Sequence, residues 1–155
     1  MSTRSNIAIK EKDDSVTVSY CHHDGYPEYT GKILLEHYNT EEKARALIES
    51  GPIRLLKKTI EETNVAYRAA NYSDERIRDH APLTGPDYFH SLVMYMSEVD
   101  SVFIEYIYLW RDGQWWVSIS EAFEPESMDL PRAFLETVTY PTDFAPLTVV
   151  LWGVE

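Results

Sequence analysis

Reactive side-chain types crowd into one short stretch, Cys21-His22-His23-Asp24-Gly25-Tyr26, which holds the only cysteine of the chain and two of its five histidines. A cysteine is a nucleophile only as the thiolate, which needs a neighbouring base or positive charge to form near neutral pH. His22 is the nearest base along the chain, but adjacent residues of an extended strand point to opposite faces. A dyad on Cys21 therefore requires His37, His80 or His90, brought in by folding. His22 and Asp24 are two apart, so both could face one side of an extended turn and share a metal. Zinc takes at least three protein ligands, and the chain has no HExxH, no HxH pair elsewhere and no EF-hand loop. No metal and no cofactor is expected on these grounds. Cys21, His22 and Asp24 stay as candidates for a small catalytic site at the 21–26 turn. The same residues serve equally well as turn anchors, with Asp24 and the histidines bonded to backbone.

Two weaker candidates lie outside that stretch. Ser2 becomes the N-terminal residue once Met1 is removed, the position of an N-terminal nucleophile, although Thr3-Arg4-Ser5 also suits the anchoring of a first strand. Glu105 sits between apolar neighbours and needs either a raised pKa or a partner such as Arg4, Arg68 or a histidine. There is no phosphate-cradling glycine loop, no G-x-S-x-G and no basic stripe for nucleic acid.

The elements that must position these residues follow from periodicity. Asn6 to Lys10 and Ser15 to Cys21 alternate apolar and polar, which predicts an antiparallel hairpin closed by Glu11-Lys12-Asp13-Asp14. Asp24-Gly25 is a turn signal, and Pro27 pushes Tyr26 out of the α region. Gly31 opens a helical stripe of Ile33, Leu34, His37 and Tyr38. Asn39 with Glu42 resembles a capping box for a helix over 40–50, which Gly51-Pro52 ends. A short helix is expected over 53–62, a surface loop over 64–86 and a helix over 87–99. Val102 to Trp110 is apolar on both faces, as in a central strand, and Arg111-Asp112-Gly113-Gln114 turns it into a returning strand over 115–120. A helix over 130–138 and a closing strand over 147–152 complete the chain. The whole reads as one α+β domain, 1–155, with a mostly antiparallel sheet built from N-terminal and C-terminal hairpins and with helices packed on it.

Charge narrows the partners. The net charge is −12, and eleven acids against two bases between Glu98 and Glu155 give −9 of it, with no lysine after Lys58. Such a field repels nucleic acid and attracts basic surfaces. Glu121, Glu124, Glu126 and Asp129, with Trp116 as an apolar anchor, are the residues expected to bind a basic protein partner. No apolar run approaches the ~20 residues of a membrane span, and residues 1–14 are too charged for a signal peptide, so a cytoplasmic location is expected.

Thr3-Arg4-Ser5, Tyr20-Cys21-His22, Asp24-Gly25-Tyr26-Pro27, Gly31, Leu34 and Tyr38 together resemble a family of small proteins carried by tailed bacteriophages and prophages. The family's typical turn reads close to CHWDGYP, and this chain has His23 in place of the tryptophan. The likeness covers roughly the first fifty residues and, more loosely, the hairpin from Tyr106 to Val117. It brings no activity with it, so no catalytic residue follows from it. It implies an acidic accessory protein that binds and inhibits a host defence or nucleic-acid-binding protein in the host cytoplasm, in some cases by imitating nucleic acid. A small enzyme at the 21–26 turn and a structural or scaffold module are the alternatives.

Overall fold

Alternating side chains build the first hairpin as the sequence predicts. The structure, a computed structural model, describes residues 3–63, 86–99, 103–120 and 144–153. Strand β1 (Ser5–Lys10) pairs antiparallel with β2 (Val16–Cys21) from Ser5↔Cys21 to Lys10↔Val16. Their connector is tied by the Asp13 carboxylate, which accepts from the Ser15 amide at 3.0 Å and hydroxyl at 2.6 Å. Strand β3 (Asp87–Phe89) lies on the outer side of β2, antiparallel to it. A second hairpin joins β4 (Tyr106–Arg111) to β5 (Gln114–Ile119). Asp112 and Gly113 both take positive φ there, 53° and 78°, the left-handed pair that a two-residue hairpin turn requires. The short strand β6 (Ala145–Pro146) borders β5. The sheet order is β3-β2-β1-β4-β5-β6, antiparallel everywhere except at its centre, where β1 and β4 run parallel. The protein is thus an α+β fold on a mostly antiparallel sheet.

Both faces of the sheet are covered. One face packs Ile7, Ile9, Tyr108, Trp110, Trp115 and Val117 under α1 (Lys32–His37) and α2 (Glu41–Glu49). The other places Val18, Tyr20, Ile107 and Leu109 against Tyr95 and Met96 of α3 (Leu92–Glu98). Each buried aliphatic side chain contributes about 1.5–3 kcal/mol relative to exposure. The alternation assigns neighbours to opposite cores, so Trp115 and Trp116 never share a face. The Trp115 indole N–H finds its partner in the Tyr38 carbonyl at 3.0 Å, at the end of α1.

Several elements differ from the periodicity reading. The cap of α2 is Thr40, whose hydroxyl accepts from the Lys43 amide at 3.2 Å, and not Asn39. The residues 53–59 are not helical. Ile53 instead bridges Cys21 in parallel, and a helical stretch appears only at 60–63. The backbone groups of Ile53 and Arg54 bond to Tyr20, His22 and His23, and these ladder bonds displace the helix. Helix α3 starts at Leu92 because Asp87–Phe89 is committed to β2; Ser91 caps it, accepting from the Met94 amide at 3.1 Å. The expected last strand is helix α4 (Leu147–Trp152). Its β-branched residues suggest a strand, but Pro146 precedes it, Gly153 ends it at φ 70°, and the buried Leu147 and Val150 stand three apart on one helical face. The expected helix at 130–138 and the loop at 64–86, Pro86 apart, lie outside the described residues.

Candidate functional site

Strand β2 ends at a corner that the chain holds from every side. Cys21 is wholly buried between its cross-strand partner Ser5 and the bridging Ile53. Its thiol donates to the His23 carbonyl, with sulfur and oxygen 3.6 Å apart. Burial pushes the thiol up to about 11, an effect the Ser5 and Thr30 hydroxyls beside it only partly offset. At neutral pH Cys21 is therefore a protonated, shielded thiol and a poor nucleophile. The His22 imidazole turns to the other side, where its Nδ1 shares a 2.6 Å hydrogen bond with the Tyr20 hydroxyl. The alternation expected of adjacent strand residues thus keeps Cys21 and His22 apart.

Asp24 and Gly25 make the turn. Asp24 sits at φ 51°, which aspartate tolerates better than most residues, and its carbonyl accepts from the Thr30 hydroxyl at 2.7 Å. The Gly25 amide donates to the Thr3 carbonyl at 2.9 Å, and its carbonyl accepts from the Tyr108 hydroxyl at 2.5 Å. A Cβ at this position would stand 2.6 Å from Ser5 Oγ and 2.7 Å from Ser5 Cβ, so only glycine fits. Pro27–Gly31 then forms a single π-helical turn that runs into α1. Gly31 is chosen for closeness too, since a Cβ there would meet Leu147 Cδ1 at 3.0 Å and Tyr108 at 3.4 Å. The Tyr29 and Tyr38 hydroxyls donate to the Leu56 and Lys57 carbonyls at 2.9 and 2.8 Å, pinning the following segment. Thr3-Arg4-Ser5 and Asp24-Gly25-Tyr26-Pro27 are therefore two sides of one contact, and β4 supplies the third through Tyr108. Nothing local in the sequence marks Tyr108 or the 51–57 segment as members of this corner.

The other candidates fall elsewhere. His37 Nε2 lies 3.8 Å from Glu36 on α1, and His90 packs edge-on against Tyr88 beyond β3. His80, Arg68 and Ser2 lie outside the described residues. Two adjoining clefts of about 450 and 580 Å³ run along α1 and share Glu36, His37 and Lys58 in their walls. Neither is lined by Cys21, His22 or Asp24. Among the described residues no group of three or more His, Cys, Asp or Glu side chains is placed to hold a metal ion. Glu105 is half-buried; burial pushes its carboxyl up, and the Arg4 charge partly offsets this.

Trp116 is half-buried on the second face of the sheet. Its indole N–H donates to the Arg111 carbonyl at 3.0 Å, and the Arg111 guanidinium stands 4.4 Å over its ring. A cation thus covers the face that the sequence reading assigns to a partner. Trp152 at the end of α4 is the tryptophan that stands out, at 55% exposure. Glu121, Glu124, Glu126 and Asp129 lie outside the described residues. No family model, no curated protein and no solved structure matches the chain.

Proposed function

We propose that the chain is a phage-type accessory protein that acts by binding, and thereby blocking, a protein with a basic surface. The observation that carries this reading is the charge distribution: −12 overall, with −9 from the residues after Ser97. Among the described residues of that stretch, the one ion pair is Arg111 with Asp112 at 3.8 Å, and Arg111 is also engaged with Trp116. The acids there far outnumber the bases that could neutralise them. Such a surface speeds encounter with a basic partner, and an exposed aromatic such as Trp152 lengthens the contact once made. The corner at Cys21–Tyr26 supports the same reading from the other direction, because the Cys21 thiol and the His22 imidazole are tied into hydrogen bonds within the fold.

The experiment is affinity capture with the tagged full chain at low and at high salt, beside a variant with Glu121, Glu124, Glu126 and Asp129 replaced by Gln, Gln, Gln and Asn. The expected partner is basic, is released as salt rises, and is captured less by the variant. Capture of the same partner at equal strength by the variant and at high salt would refute the electrostatic reading.

A further inference from the structure

We propose that the two adjoining clefts along α1 form one binding groove for a short peptide segment that carries charges of both signs. The clefts, of about 450 and 580 Å³, meet at Glu36, His37 and Lys58, which line both. Each has the size of a small-ligand pocket, and the shared lining makes room for a ligand that runs from one into the other.

The groove has fixed walls. One is the π-helical turn with α1, and the other is the segment 57–62. The Tyr29 and Tyr38 hydroxyls cross from the first wall to the Leu56 and Lys57 carbonyls at 2.9 and 2.8 Å, which sets the separation of the two. Thr63 holds the second wall in shape. Its hydroxyl accepts from the Lys57 amide at 3.0 Å and donates to the Thr59 carbonyl at 2.8 Å. Single π-helical turns are rare and gather at functional sites. This one carries Glu28 and Tyr29 into the lining of the larger cleft.

The charges select the ligand. Four of the chain's six lysines, Lys32, Lys43, Lys57 and Lys58, line the groove of a protein whose net charge is −12. The larger cleft sets Glu28, Glu36 and Glu62 among three of them. Among the described residues none of these lysines has a carboxylate within ion-pair distance. Lys32 and Glu36 stand one turn apart on α1, a spacing at which such pairs close, yet this one stays open. Outside the groove opposite charges do meet, Lys10 with Asp14 at 3.3 Å and Arg45 with Glu11 at 2.7 Å. A ligand of one sign would face like charges wherever it lay: a nucleic acid strand meets the glutamates, and a polycation meets the lysines. A peptide with acidic and basic side chains answers both sets. Tyr29 and Ile33 in the larger cleft, and Tyr38, Ala46 and Ile60 in the smaller, offer apolar surface to the side chains between. The groove contains none of the acids after Ser97, so it is a second surface beside the one proposed for a basic protein.

The test is selection with the full chain from a displayed library of random linear hexapeptides, followed by titration calorimetry with one selected peptide. The selected peptides should carry at least one acidic and one basic side chain, and binding should be saturable. Glu36→Gln and Lys58→Gln should each weaken it roughly two- to fivefold, as loss of an exposed ion pair does. Ala46 is exposed on α2 and lines the smaller cleft, so Ala46→Trp fills that cleft without entering the core. It should weaken binding roughly tenfold or more. Thermal unfolding checks that each variant folds. Selection of no peptide, selection of peptides that lack either sign of charge, or binding unchanged in Ala46→Trp or in both charge variants would each overturn the proposal. Purely basic peptides held equally by Ala46→Trp would belong to the acidic surface after Ser97, so the two proposals fail separately.

Discussion

Replacing Gly25 by alanine tests whether the corner at Cys21–Tyr26 is a structural lock. The added methyl group would stand 2.6 Å from Ser5 Oγ, 2.7 Å from Ser5 Cβ and 2.9 Å from the Thr3 carbonyl oxygen. Ser5 is on β1, paired to β2 on one side and β4 on the other, so it has no room to retreat. Overpacking of this kind costs about 1–3 kcal/mol. Movement of the turn would also stretch two hydrogen bonds, from Gly25 to the Thr3 carbonyl and from Tyr108 to Gly25, each worth about 1 kcal/mol net and more if a buried group is left unpaired. A loss of about 3–5 kcal/mol follows, a large share of the stability of an ordinary domain. Urea unfolding followed by tryptophan fluorescence measures it, with Trp115 in the core as reporter. The double variant Gly25→Ala with Ser5→Gly removes the two closest clashes and should recover roughly half the loss relative to the two single changes. A cost below about 0.5 kcal/mol for Gly25→Ala, or no coupling to Ser5, would refute the close-approach account.

Four further outcomes are expected. Cys21 should react with iodoacetamide in the native state far more slowly than a free thiol at pH 7.5 and at the ordinary rate in urea; equal rates would show the thiol to be accessible. Because its folded pKa is raised from 9.0 to about 11, the unfolded chain loses this proton first as pH rises. Stability should fall by about 1.4 kcal/mol per pH unit above pH 9, and Cys21→Ala should flatten the slope between about pH 9 and 10, before the raised phenols of Tyr106 and Tyr108 add a fall of the same sign. Tyr108→Phe leaves the Gly25 carbonyl without its donor and should cost about 1–3 kcal/mol in the same urea assay, whereas Arg45→Gln, which breaks the two 2.7 Å contacts to Glu11 at a partly exposed site, should cost less than about 1 kcal/mol and nothing at high salt.

What the sequence made legible is the part of the fold set by neighbours along the chain. Ile7 and Ile9, then Val16, Val18 and Tyr20, announce a hairpin because two strands four to five residues apart need only local alternation and a turn. Asp112-Gly113 does the same for β4 and β5. The parallel seam of β1 with β4 joins residues about a hundred positions apart, and no local pattern encodes it. Helix α4 was hidden by Thr148, Val149 and Val150, whose strand preference yields to the burial of Leu147 and Val150 against the sheet. The separation of Cys21 from His22 was readable from strand geometry. The partners that define the corner were not, since Tyr108, Ser5 and the 51–57 segment reach it only through the tertiary fold.

The central parallel seam also fixes an order of events in folding. Hairpins close early because their contacts are local, whereas pairing across a long loop must first overcome the entropy of bringing distant residues together. The β1–β2 hairpin can therefore form while the inner edge of β1 waits for Tyr106–Arg111, which a ribosome delivers only after the intervening residues. During that interval the apolar strand Asn6–Ile9 presents an unpaired edge, the feature that recruits other chains into sheets. Fragments ending before Tyr106 should accordingly associate where the full chain does not, as light scattering of the two at equal concentration would show. The strand that ends at the centre of the finished sheet is the first to be made and the one that waits longest for its second neighbour.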